Sequence, residues 1–375
     1  MRIPRTASRV VRIVIALLAV TLLGISIGRQ WGAVTEALAR LGLAWFALSL
    51  AAVLVGLLFS NFAWRTVMAD LGSPLPILAG LRMFFLAQIG KYLPGAVWPF
   101  VAQMELGRTL GVPRRRSGLG GLLFVGLHCA TGLLVATALL PFADRDVAGR
   151  YWWLLALTPI LLVILHPKVL APVLNRAFRL LRRPPLEQPM TLGNTLRACG
   201  FLLVTWLFYG LSLLALAGPL GLTGPGSFLL ATGGYALAWS AGVLVLGVVP
   251  AGIGVREVVL AAVLLPVLGK AEATTVVAAS RIVQTLGDAL WALFAGIALR
   301  GPMRRAEQRL RVDQPADAGG TDSSPGPATG ATAARGAGAT TGPTGASAGR
   351  AAASNRAAPA TGATAGPASA RREGD

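Results

Sequence analysis

Six apolar runs dominate this sequence, and each is long enough to cross a hydrocarbon core of about 30 Å. They comprise residues 10–28, 43–64, 117–141, 195–217, 227–249 and 274–299, with a shorter candidate at 151–166. The chain is 54% hydrophobic and 13% charged, whereas a typical soluble domain has about 25% charged residues. Because so little polar surface is available, the sequence predicts an all-α integral membrane protein.

The first run, residues 10–28, has the position of a signal peptide. Its apolar part is longer than the usual h-region of about 7–15 residues. Arg29, Gln30 and Trp31 follow it in place of a small-residue cleavage site. We therefore interpret this run as a helix that is retained.

Basic residues are clustered beside the apolar runs, and the net charge is +19. The clusters are Arg2, Arg5, Arg9 and Arg12; Arg108, Arg114, Arg115 and Arg116; Lys168, Arg176, Arg179, Arg182 and Arg183; and Arg300, Arg304, Arg305, Arg309 and Arg311. This distribution is typical of the positive-inside rule and suits anionic lipid rather than nucleic acid. It predicts a plasma-membrane protein whose two termini and loop 167–194 are cytoplasmic.

Two apolar segments, residues 89–108 and 249–269, are interrupted by proline and glycine. The interrupting residues are Pro94, Gly95 and Pro99 in the first segment and Pro250, Gly252 and Gly254 in the second. Proline removes a helical N–H, and glycine permits positive φ. Broken backbone at membrane depth is tolerated only where protein buries it or water lines it. Paired breaks of this kind indicate a transporter binding site.

Charged residues accompany both breaks. They are Lys91, Glu105 and Arg108 around the first, Arg256 and Glu257 after the second, and Arg281 and Asp288 within the last apolar run. Since each charge at the membrane centre costs about 2.5–3.5 kcal/mol, the set implies pairing or a wet cavity. Two alternatives stay open: Lys91 and Arg108 snorkel to an interface, or Arg281 and Asp288 form structural pairs with Arg256 or Glu257.

A helix that begins near Val255 would point its positive end at the second break, where an anionic headgroup would be favoured.

Disulfide, metal, cofactor and enzymatic chemistry have little support in the sequence. Cys129, Cys199, His128 and His166 are isolated and predict no disulfide, metal or cofactor. Neither a nucleotide-binding loop nor a Gly-x-Ser-x-Gly elbow is present, so the sequence does not predict an enzyme.

Three motifs carry a family resemblance. They are GKYLPG at 90–95 with ELGR at 105–108, PAGIGVRE at 250–257, and ASRIVQTLGDALWALFAG at 279–296. Over roughly residues 10–300 the chain resembles the lysylphosphatidylglycerol synthase transmembrane-region family, also called the flippase-like domain family. The first motif has AVWPFVAQ where many relatives have a glycine and an acidic residue sooner, and the second reads Pro-Ala-Gly rather than Pro-Gly-Gly. The aminoacyl-transferase domain of the full synthase is missing, so lysyl transfer is not expected.

The resemblance implies two re-entrant, pseudo-symmetric halves that handle a lipid headgroup. It also implies that the following residues belong to the site: Pro94, Gly95, Glu105 and Arg108 at the first motif, Pro250, Gly252, Gly254, Arg256 and Glu257 at the second, and Arg281 on the last helix. We expect about eight transmembrane helices in a membrane domain of residues 1–311, followed by a disordered cytoplasmic tail at 312–375 that is rich in Ala, Gly, Thr and Pro.

The expected function is binding and translocation of a lipid or lipid-linked anionic headgroup. The alternative is a non-transporting partner subunit of a cell-envelope glycosyltransferase or a lipid-modifying enzyme. Under the first hypothesis Arg256, Arg281 and Lys91 bind phosphate, while Glu257 and Asp288 orient the arginines or exchange protons. The expected partners are membrane lipids, with an envelope-biosynthesis enzyme or a second copy of the chain left open.

Overall fold

The computed structural model describes residues 32, 39–93, 97–143, 149–165, 169, 172, 176, 191–244 and 254–298. The first apolar run, Pro94, Gly95, Pro250, Gly252, most of loop 167–194 and the tail lie outside the described residues. Within them the chain forms α-helices and short 3₁₀ turns, without a β-strand. The all-α prediction is therefore confirmed for the part of the chain that is described.

The described α-helices beyond residue 42 are named here in chain order. They are α1 (Leu43–Asp70), α2 (Ile77–Gln88), α3 (Trp98–Thr109), α4 (Arg114–Leu139), α5 (Thr158–Leu165), α6 (Leu192–Ala217), α7 (Ser227–Leu244), α8 (Val255–Leu264) and α9 (Lys270–Ile297). The 3₁₀ turns are Ile89–Tyr92, Leu140–Phe142, Trp152–Leu157 and Gly218–Leu220.

Four helical stretches have the length and composition of membrane spans. They are Leu43–Asp70, Arg114–Phe142, Leu192–Leu220 and Ser227–Leu244. They coincide with the apolar runs predicted at 43–64, 117–141, 195–217 and 227–249, although α1 continues to Asp70 and α7 is described only to Leu244. A multi-pass membrane protein is thus confirmed, while the count of eight spans stays a prediction.

Helix α9 is long enough to cross a membrane but is less apolar than these four. It has 28 residues, which corresponds to about 42 Å. Arg281, Gln284 and Asp288 interrupt its apolar sequence, and Gln284 and Asp288 are buried. Its Trp291 stacks on Phe85 of α2, with ring centroids 4.5 Å apart. The polar face of α9 therefore turns toward other helices of the bundle.

Three helices beside the breaks are short. Helices α2 and α3 have 12 residues each, or about 18 Å, and α8 has 10 residues, or about 15 Å. None of the three reaches across a hydrocarbon core of about 30 Å by itself. The segment 151–166 is likewise divided, into the turn Trp152–Leu157 and the eight-residue α5.

Helix ends that are distant in sequence meet at one end of the bundle. The Asp70 carboxylate, at the end of α1, accepts hydrogen bonds from the Thr191 backbone N–H at 2.9 Å and from Asn194 Nδ2 at 2.6 Å. At the start of α4, Arg116 Nη1 donates to the Gly72 carbonyl at 3.0 Å. The end of α1 and the starts of α4 and α6 therefore lie at the same end of the bundle, and the side of the membrane that this end faces stays a prediction.

Candidate functional site

A cavity of about 150 Å³ lies where the short helices meet the long ones. Its polar lining comes from the turn after α2, from α4, α8 and α9, and from Ser60 and Tyr209 on α1 and α6. The principal polar residues are Lys91, Tyr92, His128, Arg256, Arg281, Gln284 and Asp288. Because pockets for drug-sized ligands are about 300–1,000 Å³, this cavity suits a compact polar group rather than a whole lipid.

Asp288 is the carboxylate on the α9 side of the cavity. Lys91 Nζ lies 2.6 Å from Asp288 Oδ2, and the Tyr92 hydroxyl donates to the same oxygen at 2.8 Å. The Asp288 side chain is 3% exposed and the Lys91 side chain is 31% exposed. A buried carboxylate needs a counter-charge and hydrogen bonds, and Lys91 and Tyr92 supply these to Oδ2.

Glu257 holds the beginning of α8 and contacts α9. Its carboxylate accepts a hydrogen bond from the Gly254 backbone N–H at 2.7 Å. Gly254 precedes the helix with φ +93°, a conformation that favours glycine. The other Glu257 oxygen lies 3.6 Å from Arg281 Nη1. The start of α8 at Val255, which the sequence predicts, is thus built by Gly254 and fastened to α9 through Glu257.

Arg256 is the most deeply buried cation of the site, with 8% of its surface exposed. Its guanidinium carbon lies 4.6 Å from the centre of the Tyr235 ring, a cation–π contact with α7. The Tyr235 hydroxyl donates to Gln284 Oε1 at 2.7 Å, which fixes the ring against α9. Arg256 Nη2 is buried and has no hydrogen-bond partner among the described residues.

The structure brings some of the predicted site residues together and separates others. Lys91, Arg256, Arg281 and Asp288 line the cavity, and Glu257 joins them through Arg281.

Glu105 and Arg108 lie outside the cavity lining. Glu105 pairs with Arg108 at 3.5 Å and with Arg114, and the arginine side chains are 50% and 60% exposed. Lys91 is thus paired with Asp288 at the cavity, whereas the interfacial position of Arg108 stays a prediction. The two prolines and two glycines predicted for the site at positions 94, 95, 250 and 252 lie outside the described residues.

Two aromatic residues of the site were not predicted from the sequence. Tyr92 follows Lys91 directly in the first motif and donates to Asp288. Tyr235, in the middle of an apolar run, contacts Arg256. The position of Tyr92 inside the motif could have suggested its role, but Tyr235 carries no comparable signal because aromatic residues in membrane helices are common.

His128 is the third residue that sequence reasoning missed. Its imidazole is stacked on Trp239 with centroids 4.2 Å apart and meets the edge of Trp206 at 4.7 Å. The residue is 3% exposed and lines the cavity. Among the described residues no group of three or more His, Cys, Asp or Glu side chains is placed to hold a metal ion. His128 is part of the cavity wall.

Comparison with known proteins gives one match to a family model. The model described as the lysylphosphatidylglycerol synthase TM region matches residues 9–292. The matched range contains both broken segments and every charged residue of the cavity. No curated protein matches the chain.

Proposed function

We propose that this chain, which belongs to the lysylphosphatidylglycerol synthase transmembrane-region family, binds the anionic headgroup of a membrane lipid or lipid-linked molecule and carries it across the bilayer. The observation that supports this proposal most is Arg256. A guanidinium that is 8% exposed and leaves Nη2 unpartnered within the described part of the chain requires an anion or strong acceptors.

The charge balance of the site supports an anionic ligand. Two carboxylates, Asp288 and Glu257, pair with Lys91 and Arg281 respectively. Arg256 then remains without a carboxylate within ion-pair distance among the described residues, and its guanidinium lies over the Tyr235 ring. A phosphate oxygen at Nη2 would satisfy the donor and compensate the charge, and the planar guanidinium suits phosphate geometry.

The dimensions of the site suit a headgroup whose acyl chains stay in lipid. The cavity is about 150 Å³, which is too small for a whole phospholipid but large enough for one compact polar group. In this proposal the two broken segments are re-entrant, and the short α2, α3 and α8 give the headgroup a polar path that a continuous helix would close. The chain acts as a transporter and not as an enzyme.

Movement of the headgroup would depend on ion pairs that exchange partners. A phosphate that approaches Lys91 or Arg281 competes with Asp288 or Glu257 for the same cation. Each of these pairs joins a broken segment to α9, so their exchange would loosen α8 or the turn after α2 from α9. A ligand that binds the loosened arrangement better shifts the population toward it.

The experiment compares Arg256 variants with a charge-matched control. Arg256→Gln and Arg256→Lys are purified, and the phospholipid that stays bound is quantified by mass spectrometry. The control is Arg197→Gln, which also removes one positive charge; the exposed Arg197 lies over the Phe201 ring, outside the cavity lining. We expect both Arg256 variants to lose bound anionic phospholipid and the control to retain it.

Transport is then measured in proteoliposomes with a fluorescent phosphatidylglycerol whose accessibility to an external quencher reports its movement. We expect wild type and Arg197→Gln to accelerate this movement and Arg256→Gln to lack the effect. Equal lipid content and equal rates in all proteins would contradict the proposal and favour a non-transporting partner subunit.

A further inference from the structure

Tyr235 is the aromatic residue beneath the Arg256 guanidinium, and it is buried inside the bundle. It is 1% exposed and lies outside the cavity lining, whereas Arg256 lines the cavity. The guanidinium carbon lies 4.6 Å from the centre of the Tyr235 ring, which is within the distance of about 6 Å at which a ring face attracts a cation. Arg256 therefore contacts a buried ring and the cavity at the same time.

Three helices hold the Tyr235 ring in place. The residue belongs to α7, and its hydroxyl donates to Gln284 Oε1 of α9 at 2.7 Å. Its ring centroid also lies 5.3 Å from that of Tyr209 on α6. Because the ring is packed on its face and hydrogen bonded at its hydroxyl end, it offers Arg256 a fixed surface.

Helix α8 lies close enough to α7 for Arg256 to reach this ring. A Cβ at Gly234, the residue before Tyr235, would lie 2.8 Å from Cγ1 of Val263 on α8. A larger residue at this position would hold the two helices further apart, since small residues are what allow helix backbones in a membrane to approach closely. The contact between Arg256 and Tyr235 is therefore built into the packing of α7 against α8.

An aromatic ring can orient an arginine without neutralising it. Both carboxylates of the site already pair with other cations. A carboxylate in the place of the Tyr235 ring would pair with Arg256 and would compete with an anionic ligand for the guanidinium. The quadrupole of the ring attracts the cation but carries no net charge. The charge of Arg256 thus stays available to an anion in the cavity.

We infer that Tyr235 is a positioning residue, which holds Arg256 in the orientation that binds an anion at the cavity, and that Gln284 fixes the Tyr235 ring for this role. This inference rests on the proposed function, in which Arg256 binds the headgroup. If Arg256 were distributed over several orientations, its affinity for the anion would be reduced to the fraction that is competent to bind. Tyr235 raises that fraction and does not touch the ligand itself.

The test changes the charge distribution of the ring and keeps its shape. Tyr235→Phe removes the hydroxyl, and phenylalanines with one, two or three ring fluorines at position 235 weaken the cation–π attraction in steps, because fluorine withdraws electrons from the ring face. Binding of phosphatidylglycerol to the purified full-length protein in mixed micelles is measured for each variant, with thermal unfolding as the check on folding. We expect the affinity to fall about threefold in Tyr235→Phe and about tenfold in the trifluorinated protein.

Two further variants separate positioning from general destabilisation. Tyr235→Leu removes the ring and should weaken binding at least about tenfold. Phe46→Leu also removes a buried ring, since Phe46 is 6% exposed, but this residue lies outside the cavity lining. We expect Phe46→Leu to lower the unfolding temperature and to leave the affinity for phosphatidylglycerol unchanged.

The outcomes distinguish this inference from the proposed function. Equal affinity across the folded fluorinated proteins overturns the positioning role, as does a loss in Phe46→Leu that equals the loss in Tyr235→Leu. Wild-type affinity in Tyr235→Phe overturns the role of Gln284. Arg256→Gln is measured beside them: if it alone loses binding, the proposed function stands and the inference fails. If it binds as wild type does, or if wild type does not bind, the proposed function itself is contradicted.

Discussion

Lys91 Nζ lies 2.6 Å from Asp288 Oδ2, and this ion pair joins the 3₁₀ turn after α2 to the buried face of α9. Tyr92, the next residue in the turn, donates to the same oxygen. The first broken segment is therefore fastened to the last described helix at one carboxylate. Glu257 forms the corresponding link from the second broken segment to Arg281, so α9 receives one ion pair from each break.

The Lys91–Asp288 pair should show strong coupling in a double-mutant cycle. Lys91→Met leaves a carboxylate that is 3% exposed without its cation, and we expect the free energy of unfolding to fall by about 3 kcal/mol. Asp288→Asn in the same chain removes the orphaned charge and should recover most of the loss. The measurement is reversible unfolding in mixed detergent micelles. If the loss measured for Lys91→Met and the loss measured for Asp288→Asn alone add up to the loss of the double variant, the pair does not stabilise the fold.

The four spans could be predicted from the sequence because length and hydropathy are local properties. The start of α8 could be predicted as well, since Gly254 and Glu257 stand at the positions that a helix N-terminus requires. In both cases the information lies within a few residues of the structure that it predicts.

The pairing of the charges could not be predicted in this way. Arg281 and Asp288 lie on one face of α9, and the sequence left Arg256 and Glu257 open as partners for either. The structure pairs Arg281 with Glu257, whereas Asp288 takes Lys91 from a distant segment. Such choices depend on how helices pack, because the polar face of α9 indicates which side is turned inward but does not specify which neighbouring segment meets it. The position of His128 in the cavity wall was missed for the same reason.

The crossing of α6 and α7 should be sensitive to the size of one side chain. A Cβ at Gly210 would lie 2.8 Å from the backbone Cα of Thr232, which cannot move without a shift of α7. We expect Gly210→Ala to lower the free energy of unfolding by about 1–3 kcal/mol through overpacking. Gly200→Ala in the same helix is the control, because nothing lies within 4 Å of its added Cβ. Equal stability of the two variants would contradict the close crossing.

The topology can be checked with single cysteines in a chain that lacks Cys129 and Cys199. The positive-inside pattern predicts that Thr109 and Ser323 face the cytoplasm and that Gly149 faces the outside. Thr109 and Gly149 are exposed in the structure, so their substitution should leave packing unchanged. A membrane-impermeant maleimide on intact cells should label a cysteine at 149 only, and permeabilisation should add labelling at 109 and 323. Strong labelling at 323 in intact cells would show that the orientation is the reverse of the predicted one.

Glu257 serves two interactions that a pair of substitutions can separate. Its carboxylate accepts from the Gly254 N–H at 2.7 Å and lies 3.6 Å from Arg281. Glu257→Gln keeps an acceptor oxygen but loses the charge, and because the two side chains are 28% and 20% exposed, we expect a loss of about 1 kcal/mol. Glu257→Ala also leaves the N–H at the start of α8 unpaired, which should cost about 1 kcal/mol more.

The control for Glu257 is Glu272→Gln. Glu272 lies in the first turn of α9 and has no ion-pair partner among the described residues, so this variant measures the loss of a negative charge at a helix N-terminus alone. Arg281→Gln should destabilise the protein as much as Glu257→Gln does, and the double variant should be no less stable than either single one, because both remove the same ion pair. If Glu257→Gln and Glu272→Gln have equal effects, the ion pair contributes nothing to stability. If Glu257→Ala is as stable as Glu257→Gln, the hydrogen bond to Gly254 does not hold the start of α8, and the second broken segment must be positioned by its packing against α7 and α9.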